Sequence, residues 1–169
     1  MVFRHRFEML NEKAGVILPG LPILPHGVER HVIPGGGSRG IKVDKGDEIS
    51  VVDREGLQRA EMVFFSPDGT SDAGMLGARG RGRPEGIISL LSSGDSSGLS
   101  VLRALKKSGF DIKKGDAFFA FSEGSKSGDS IDYQASEDGL LIISAPGDAM
   151  LPDAQDAPTE LIVFIRRAS

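Results

Sequence analysis

The sequence predicts a β-rich α+β fold, either a distorted barrel or two packed, mostly antiparallel sheets with one main helix. The first observation is composition. The 169 residues include 23 glycines and nine prolines, aromatic residues make up 6%, and tryptophan is absent, a balance that favours turns and strands over long helices. The second is that short apolar runs alternate with glycine-containing turns along most of the chain. With 39% apolar residues, a chain of this length can bury its own core.

The chain divides into an extended, proline-rich N-terminal arm, residues 1–34, and a single β-rich domain, residues 35–169. Proline lacks the amide donor that helices and central strands need, and four prolines lie close together in the arm: Pro19, Pro22, Pro25 and Pro34. Apolar residues such as Leu21 and Ile23 lie between them. We therefore expect the arm to pack on the domain or on a partner.

The first predicted strands of the domain flank a Lys-Gly-Asp turn. Apolar residues alternate with polar ones at 41–43 and again at 49–51, which is typical of half-buried strands. A third strand, 59–65, ends at a Ser-Pro-Asp-Gly turn, so we expect a three-stranded meander. The Lys-Gly-Asp string recurs at 114–116 between apolar segments, and a repeated hairpin is one interpretation of it.

Two helices and four strands are predicted for the rest of the chain. Pro84 suits the first position of a short helix over 84–91. The main helix is predicted near 98–108, because leucines recur there at helical spacing, lysines occupy the last turn and Gly109 follows. Short β-branched runs between turn residues predict strands at 118–122, 131–134, 140–145 and 159–167.

Composition and charge exclude several classes of function. The absence of cysteine excludes disulfides, thiolate metal sites and a cysteine nucleophile. Twenty Lys and Arg against 24 Asp and Glu give a net charge of −4, which argues against a dedicated nucleic-acid binder. No apolar run of about 18 residues is present, so we expect no membrane span. The N-terminus has no apolar stretch typical of a secretion signal, and we expect a cytoplasmic protein.

Two carboxylates and two histidines are weak candidates for a site. Asp53 follows a predicted strand and Glu61 lies on the next one, and paired carboxylates can act as acid and base when burial separates their pKa values. Turn chemistry explains Asp53 equally well. His26 and His31 could hold a metal together with such a carboxylate; otherwise no metal is expected.

Three arginines are the candidate ligand- or anion-binding residues. Arg79, Arg81 and Arg83 occupy alternate positions in a glycine-rich segment, and the guanidinium group suits carboxylate and phosphate. The alternative is a solvated loop. Because no aromatic residues are interleaved with them, RNA binding is not expected.

Residues 45–65 carry a resemblance to a known family. The Lys45-Gly46-Asp47 turn, the Asp53-x-Glu55-Gly56 turn and the following Gln58 resemble the urea carboxylase-associated family, in which aspartate usually takes the position of Glu61. The segments 15–27 and 158–167 are similar to the N-terminal module of proteins related to the aminomethyltransferases of the glycine cleavage T type.

The resemblance implies an accessory or small-ligand-binding module of an aminomethyltransferase-like protein in amine and one-carbon metabolism, not catalytic on its own. Tetrahydrofolate would then belong to an attached or partner domain, with no cofactor in this chain. The expected partner is that aminomethyltransferase domain or subunit, or a second copy through the arm.

The alternative function is a metal-dependent hydrolase of a small carboxylated or amidine-like nitrogen compound. Family members that resemble catalysts carry a cysteine, with histidine or asparagine nearby, in the stretch before the main helix. The corresponding residues 86–97 contain none of these three residue types.

Overall fold

A computed structural model describes residues 24–93, 96–147 and 157–169. These form eight strands, two α-helices and two short 3-10 turns, Ala73–Leu76 and Ile112–Lys114. The helices are α1 (Gly86–Leu91) and α2 (Ser96–Lys107). The strands are β1 (Val28–Ile33), β2 (Ser38–Val43), β3 (Glu48–Asp53), β4 (Ala60–Phe65), β5 (Phe118–Ala120), β6 (Asp129–Gln134), β7 (Gly139–Ser144) and β8 (Leu161–Arg166).

The strands form two antiparallel sheets of four strands each. The first sheet has the order β1-β8-β3-β6 and the second the order β2-β7-β4-β5. This order is that of a double-sheet jelly roll. The prediction of two packed, mostly antiparallel sheets with one main helix is therefore confirmed, and α2 covers nearly the range that the sequence predicts. None of the helices in the described part is long and apolar enough to cross a bilayer.

The predicted three-stranded meander over residues 41–65 is wrong. β2 pairs with β7, β3 pairs with β6 and β8, and β4 pairs with β5 and β7. The short turn at 44–47 carries the chain from one sheet to the other. Apolar alternation shows that one face of a strand is buried, but it does not show which strand lies beside it.

The two Lys-Gly-Asp strings do not form equivalent hairpins. The second string begins at the last residue of the 3-10 turn Ile112–Lys114 rather than after a strand. Gly46 has a φ of 89°, a conformation that favours glycine, whereas Gly115 is extended at φ −67°. Gly115 is needed for space instead, because a Cβ there would lie 2.6 Å from Val63 Cγ1.

Most of the predicted arm, residues 1–23, lies outside the described residues, so its packing stays a prediction. The part that the structure describes includes β1, an edge strand of the first sheet that pairs with β8 in antiparallel register, with Ile33 opposite Leu161. Pro25 and Pro34 flank this strand, and proline is tolerated at strand ends.

Two apolar cores hold the structure together. The first fills the space between the sheets, and the second lies between the outer face of the second sheet and the helices. β4 contributes to both, because successive side chains point to opposite faces: Met62 and Phe64 enter the first core, Val63 and Phe65 the second. Full burial of a side chain such as Phe64 contributes roughly 2 kcal/mol. Polar functional groups therefore lie at the ends of the sandwich and on its outer faces.

Candidate functional site

Asp53 stands at the end of β3 and holds the turn that follows it. Its side chain is fully buried. Oδ1 accepts from the Gly56 amide at 2.9 Å, and Oδ2 accepts from the Gln58 amide at 2.9 Å and from Ser125 Oγ at 2.5 Å. Three donors thus stabilise this carboxylate, and its observed role is to fix the β3–β4 turn.

Glu61 lies in the other sheet and faces the other way. It occupies the same face of β4 as Val63 and Phe65, towards the helices. Its Oε2 accepts from the Gly86 amide at 2.8 Å and its Oε1 from the Ile87 amide at 3.3 Å, so it holds the start of α1. The structure does not bring Asp53 and Glu61 into one site.

The two described histidines do not join these carboxylates. His31 Nε2 lies 3.0 Å from Glu29 Oε2 on the same strand, and His26 is exposed in the turn before β1. Across residues 24–93, 96–147 and 157–169, no group of three or more His, Asp or Glu side chains is placed to hold a metal ion.

The arginine segment is a well-held, exposed loop. Its backbone pairs with Ala117, because the Arg81 amide donates to the Ala117 carbonyl and the Ala117 amide to the Gly82 carbonyl, both at 2.7 Å. Arg79, Arg81 and Arg83 are all exposed, and none of them forms an ion pair with another described residue. Anion binding by these arginines stays a prediction.

A cleft at one end of the sandwich, here called the loop pocket, is the strongest candidate site. The loop end of the sandwich comprises the β1–β2, β3–β4, β5–β6 and β7–β8 connections. The loop pocket has a volume of about 500 Å³ and is lined by residues from the segments 55–59, 121–124, 146–147 and 157–159. Small-molecule sites typically enclose about 300 to 1,000 Å³, so a small ligand fits.

Gln58 ties three of these segments together. It is 5% exposed. Its Nε2 donates to the Arg59 carbonyl at 2.8 Å and to the Pro146 carbonyl at 2.9 Å, while its Oε1 accepts from the Thr159 amide at 2.8 Å. The amide group of one side chain thereby fixes the walls of the loop pocket. The partners lie 88 and 101 residues away in sequence, which is why sequence reasoning missed this role.

Backbone strain is concentrated in the same place. Among the described residues, only two residues other than glycine have positive φ, Leu57 at 64° and Phe121 at 62°, and both line the loop pocket. Such a conformation costs roughly 1 to 2 kcal/mol for an L-residue. Strained residues of this kind cluster at functional sites, where the surrounding structure holds them.

The lining combines hydrogen-bond donors with apolar surface. Thr159 Oγ1 is buried and has no hydrogen-bond partner among the described residues, an exception to the usual pairing of buried polar groups. Arg59 also lines the pocket, with its guanidinium carbon 5.7 Å from the centre of the Phe119 ring. Phe121, Pro146 and Pro158 supply the apolar part. This arrangement suits a small ligand with an anionic oxygen and an apolar body.

An ion-pair cluster occupies the opposite end of the sandwich. This Arg167 clasp consists of Arg167, Glu29 and Asp47. Arg167 Nε and Nη2 donate to the two oxygens of Glu29 at 2.8 and 3.0 Å, and Nη1 donates to Asp47 Oδ2 at 2.5 Å. The hydrogen bond from Arg167 lowers the pKa of Glu29. Burial raises the pKa of Asp47, but the bonds from the Asp44 and Ala168 amides and from Arg167 outweigh it, and the net shift is downward.

Comparison with known proteins gives one curated relative of similar sequence. The chain is 37% identical over 171 aligned residues to a trimethylamine-oxide aldolase of Ruegeria pomeroyi. The match covers 95% of this chain and 22% of the relative, so the chain spans about a fifth of the relative's length. No protein-family model matches the chain.

Two solved structures are similar in fold at low scores. A DUF1989 family protein from Silicibacter pomeroyi has a TM-score of 0.49 and 14% identity, covering 84% of this chain and 80% of that one. A designed double-stranded β-helix has a TM-score of 0.29 and 11% identity, covering 82% and 95%.

The curated relative corrects the functional expectation. Two functions were predicted, an accessory module of an aminomethyltransferase and a metal-dependent hydrolase. Both predictions are wrong, because the relative that matches nearly the whole chain is an aldolase. The association with the glycine cleavage T proteins is wrong for the same reason. These comparisons do not support the resemblance to the urea carboxylase-associated family.

Proposed function

We propose that this chain is part of an enzyme that cleaves trimethylamine N-oxide or a closely similar methylated amine oxide, and that the loop pocket binds this substrate. The observation that carries the proposal is the 37% identity to a trimethylamine-oxide aldolase across 95% of the chain. The geometry of the loop pocket supports the proposed binding residues and the way in which they bind the substrate.

The proposed reaction balances without a second reactant. The oxide oxygen passes from nitrogen to one methyl carbon, the bond between that carbon and nitrogen breaks, and one hydrogen of the methyl group ends on nitrogen. Formaldehyde and dimethylamine together then contain all the atoms of trimethylamine N-oxide. The reaction consumes neither water nor an oxidant, which separates it from hydrolysis.

The loop pocket offers complementary groups to both halves of such a substrate. The oxide oxygen carries negative charge and accepts hydrogen bonds, and Arg59 and Thr159 are residues with donor groups that line the loop pocket. A hydrogen bond to a charged group is worth about 1.5 to 3 kcal/mol. The methyl groups share the positive charge of nitrogen, and such groups pack favourably on an aromatic ring, here that of Phe121.

Binding is tested by titrating the isotope-labelled chain with trimethylamine N-oxide and following its backbone amide signals by NMR. We expect the amides of residues 56–59, 121 and 159 to shift. Arg59→Met and Thr159→Val should each weaken binding, Arg59→Met by about tenfold because one charge-assisted bond is lost. Tetramethylammonium, which has the methyl groups but no oxygen, should leave these amides unchanged.

The reaction itself is tested on the protein as it occurs naturally. We expect formaldehyde and dimethylamine in equal amounts, and a lower rate in the Arg59→Met and Thr159→Val variants. The exposed Glu137→Gln variant, away from the loop pocket, is the control and should keep the unmodified rate. The proposed site is wrong if trimethylamine N-oxide is cleaved at the same rate by all three variants.

A further inference from the structure

We propose that Gly35 and Gln58 are positioning residues of the substrate site, a role that rests on the proposed function. Both act on one wall of the loop pocket, formed by Pro158 and Thr159 and here called the threonine wall. Both wall residues line the loop pocket. Gln58 holds the wall by a hydrogen bond, and Gly35 leaves the space that the wall occupies.

The glycine-rich turn at 34–37 lies directly against the threonine wall. A Cβ on Gly35 would lie 1.9 Å from the Pro158 carbonyl oxygen and 3.0 Å from the Thr159 amide nitrogen. Atoms in the protein interior normally pack at about 3.5 to 4.0 Å. Gly35 is not one of the glycines with positive φ, so glycine is needed here for space. A side chain at this position must displace either the wall or the turn, since the atoms that it would meet belong to the backbone.

The turn at 34–37 is itself fixed to the end of β7. The Gly36 amide donates to the Ala145 carbonyl at 2.8 Å, and the Ala145 amide donates to the Gly37 carbonyl at 3.1 Å. Ala145 is fully buried, and it directly follows β7. Because two backbone hydrogen bonds anchor the turn to a buried residue, we expect a side chain at position 35 to move the threonine wall rather than the turn.

Gln58 connects the threonine wall to the residue after Ala145. Its Oε1 accepts from the Thr159 amide at 2.8 Å, and its Nε2 donates to the Pro146 carbonyl at 2.9 Å. The turn, residues 145–146, Gln58 and the threonine wall therefore form a closed ring of contacts, in which each part is held by two neighbours. The recurring glycines at 35–37 thus belong to the support of the loop pocket.

The ring of contacts fixes the position of Thr159, one of the two residues proposed to donate to the oxide oxygen. Its hydroxyl has no hydrogen-bond partner among the described residues. A displacement of about 1 Å can cost a binding or catalytic group as much as a hundredfold in rate. Changes at Gly35 and Gln58 should therefore weaken substrate binding through Thr159. A purely structural role would instead give the same loss whether or not the Thr159 hydroxyl is present.

The test is a set of double-mutant cycles on the binding of trimethylamine N-oxide, followed by NMR titration of the isotope-labelled chain. Gln58→Leu removes the hydrogen bonds at similar volume, and Gly35→Ala places a methyl group against the Pro158 carbonyl. We expect each to weaken binding about tenfold, which corresponds to one hydrogen bond to a charged oxygen. In a Thr159→Val background neither should weaken binding further, because both changes act through the same hydroxyl.

The position of the wall is also measured without substrate. The Thr159 amide is hydrogen-bonded to Gln58, so its hydrogen exchange should be slow in the unmodified chain and faster in Gln58→Leu. In Gly35→Ala the Thr159 amide signal should shift. Unchanged amide signals of α2 and of the Arg167 clasp establish that both variants are folded.

Two variants are matched controls. A Cβ on Gly40 would lie 3.5 Å from Leu140 Cδ1, an ordinary contact, and Gln134 is an exposed glutamine that pairs with Glu48 at the other end of the sandwich. Gly40→Ala and Gln134→Leu should both bind trimethylamine N-oxide like the unmodified chain.

Two kinds of result separate this inference from the proposed function. Additive losses in the double variants, or full affinity in either Gly35→Ala or Gln58→Leu, would overturn the positioning role alone. If the unmodified chain does not bind trimethylamine N-oxide, the proposed function is wrong and the positioning role is wrong with it.

Discussion

The two ends of the sandwich differ in ion pairing and in backbone strain. At one end, the Arg167 clasp pairs its buried carboxylate: Asp47, 1% exposed, meets Arg167 and two backbone amides. At the loop end, Leu57 and Phe121 are strained, and the buried Thr159 hydroxyl has no hydrogen-bond partner among the described residues. Ion pairs hold the residue that follows β8 at the first end. At the second end, the two strained residues and Thr159 line the loop pocket. The difference fits a first end that stabilises the fold and a second end that holds the proposed substrate site.

The largest expected effect comes from removing the centre of the clasp. Arg167→Ala deletes the bonds to Glu29 and Asp47 and leaves a buried carboxylate without its cation, which should lower the free energy of unfolding by about 3 kcal/mol. Urea denaturation measures this. Arg54→Ala is the matched control, because the Arg54–Glu160 pair is short, at 2.6 Å, but exposed, and such pairs contribute about 1 kcal/mol or less. Equal losses in the two variants would contradict the role of the clasp.

The pH dependence of stability should reveal the same cluster. The pKa values of Glu29 and Asp47 are lowered in the folded state from ordinary values of 4.5 and 3.8. Their contribution is therefore complete above these values and is lost as the pH falls through the lowered ones, because the unfolded chain binds protons first. We expect the urea midpoint to fall steeply below about pH 4.5. In Arg167→Ala the fall should be shallower; an identical slope would rule the clasp out as its source.

The smallest expected effect is a gain at the loop end. Asparagine tolerates positive φ better than leucine, and Leu57 is 76% exposed, so Leu57→Asn relieves strain without opening the core. We expect the free energy of unfolding to rise by about 0.5 kcal/mol, a part of the cost of the left-handed conformation. Leu99→Asn on α2, also an exposed leucine, should give no gain. A loss of stability in Leu57→Asn would show that its side chain, not strain, matters there.

Local structure was largely predictable from the sequence, and the reason is that it depends on near neighbours. The leucine spacing and terminal lysines predicted α2, and the alternation around residues 41–51 predicted β2 and β3. Asp53 was identified as a turn residue as well as a candidate for catalysis, and its three hydrogen bonds bear out the turn role. The pairing of strands was not predictable, because a buried face of one strand does not specify which strand lies beside it in the sheet.

The sites depended on contacts between distant parts of the chain. Gln58 gave no signal of its own in the sequence beyond a family resemblance, and its role became visible only when its amide was found to bridge residues 146 and 159.

The sequence by itself determined that this chain folds as a β-rich unit with one main helix, because composition, alternation and turn residues act over a few neighbouring positions. Only the tertiary structure decided which strands share a sheet, that Asp53 and Glu61 lie apart, and that the loop pocket exists. Those features arise from pairings across tens of residues, and the free energy of such contacts is set by the packing of the whole chain rather than by any local pattern.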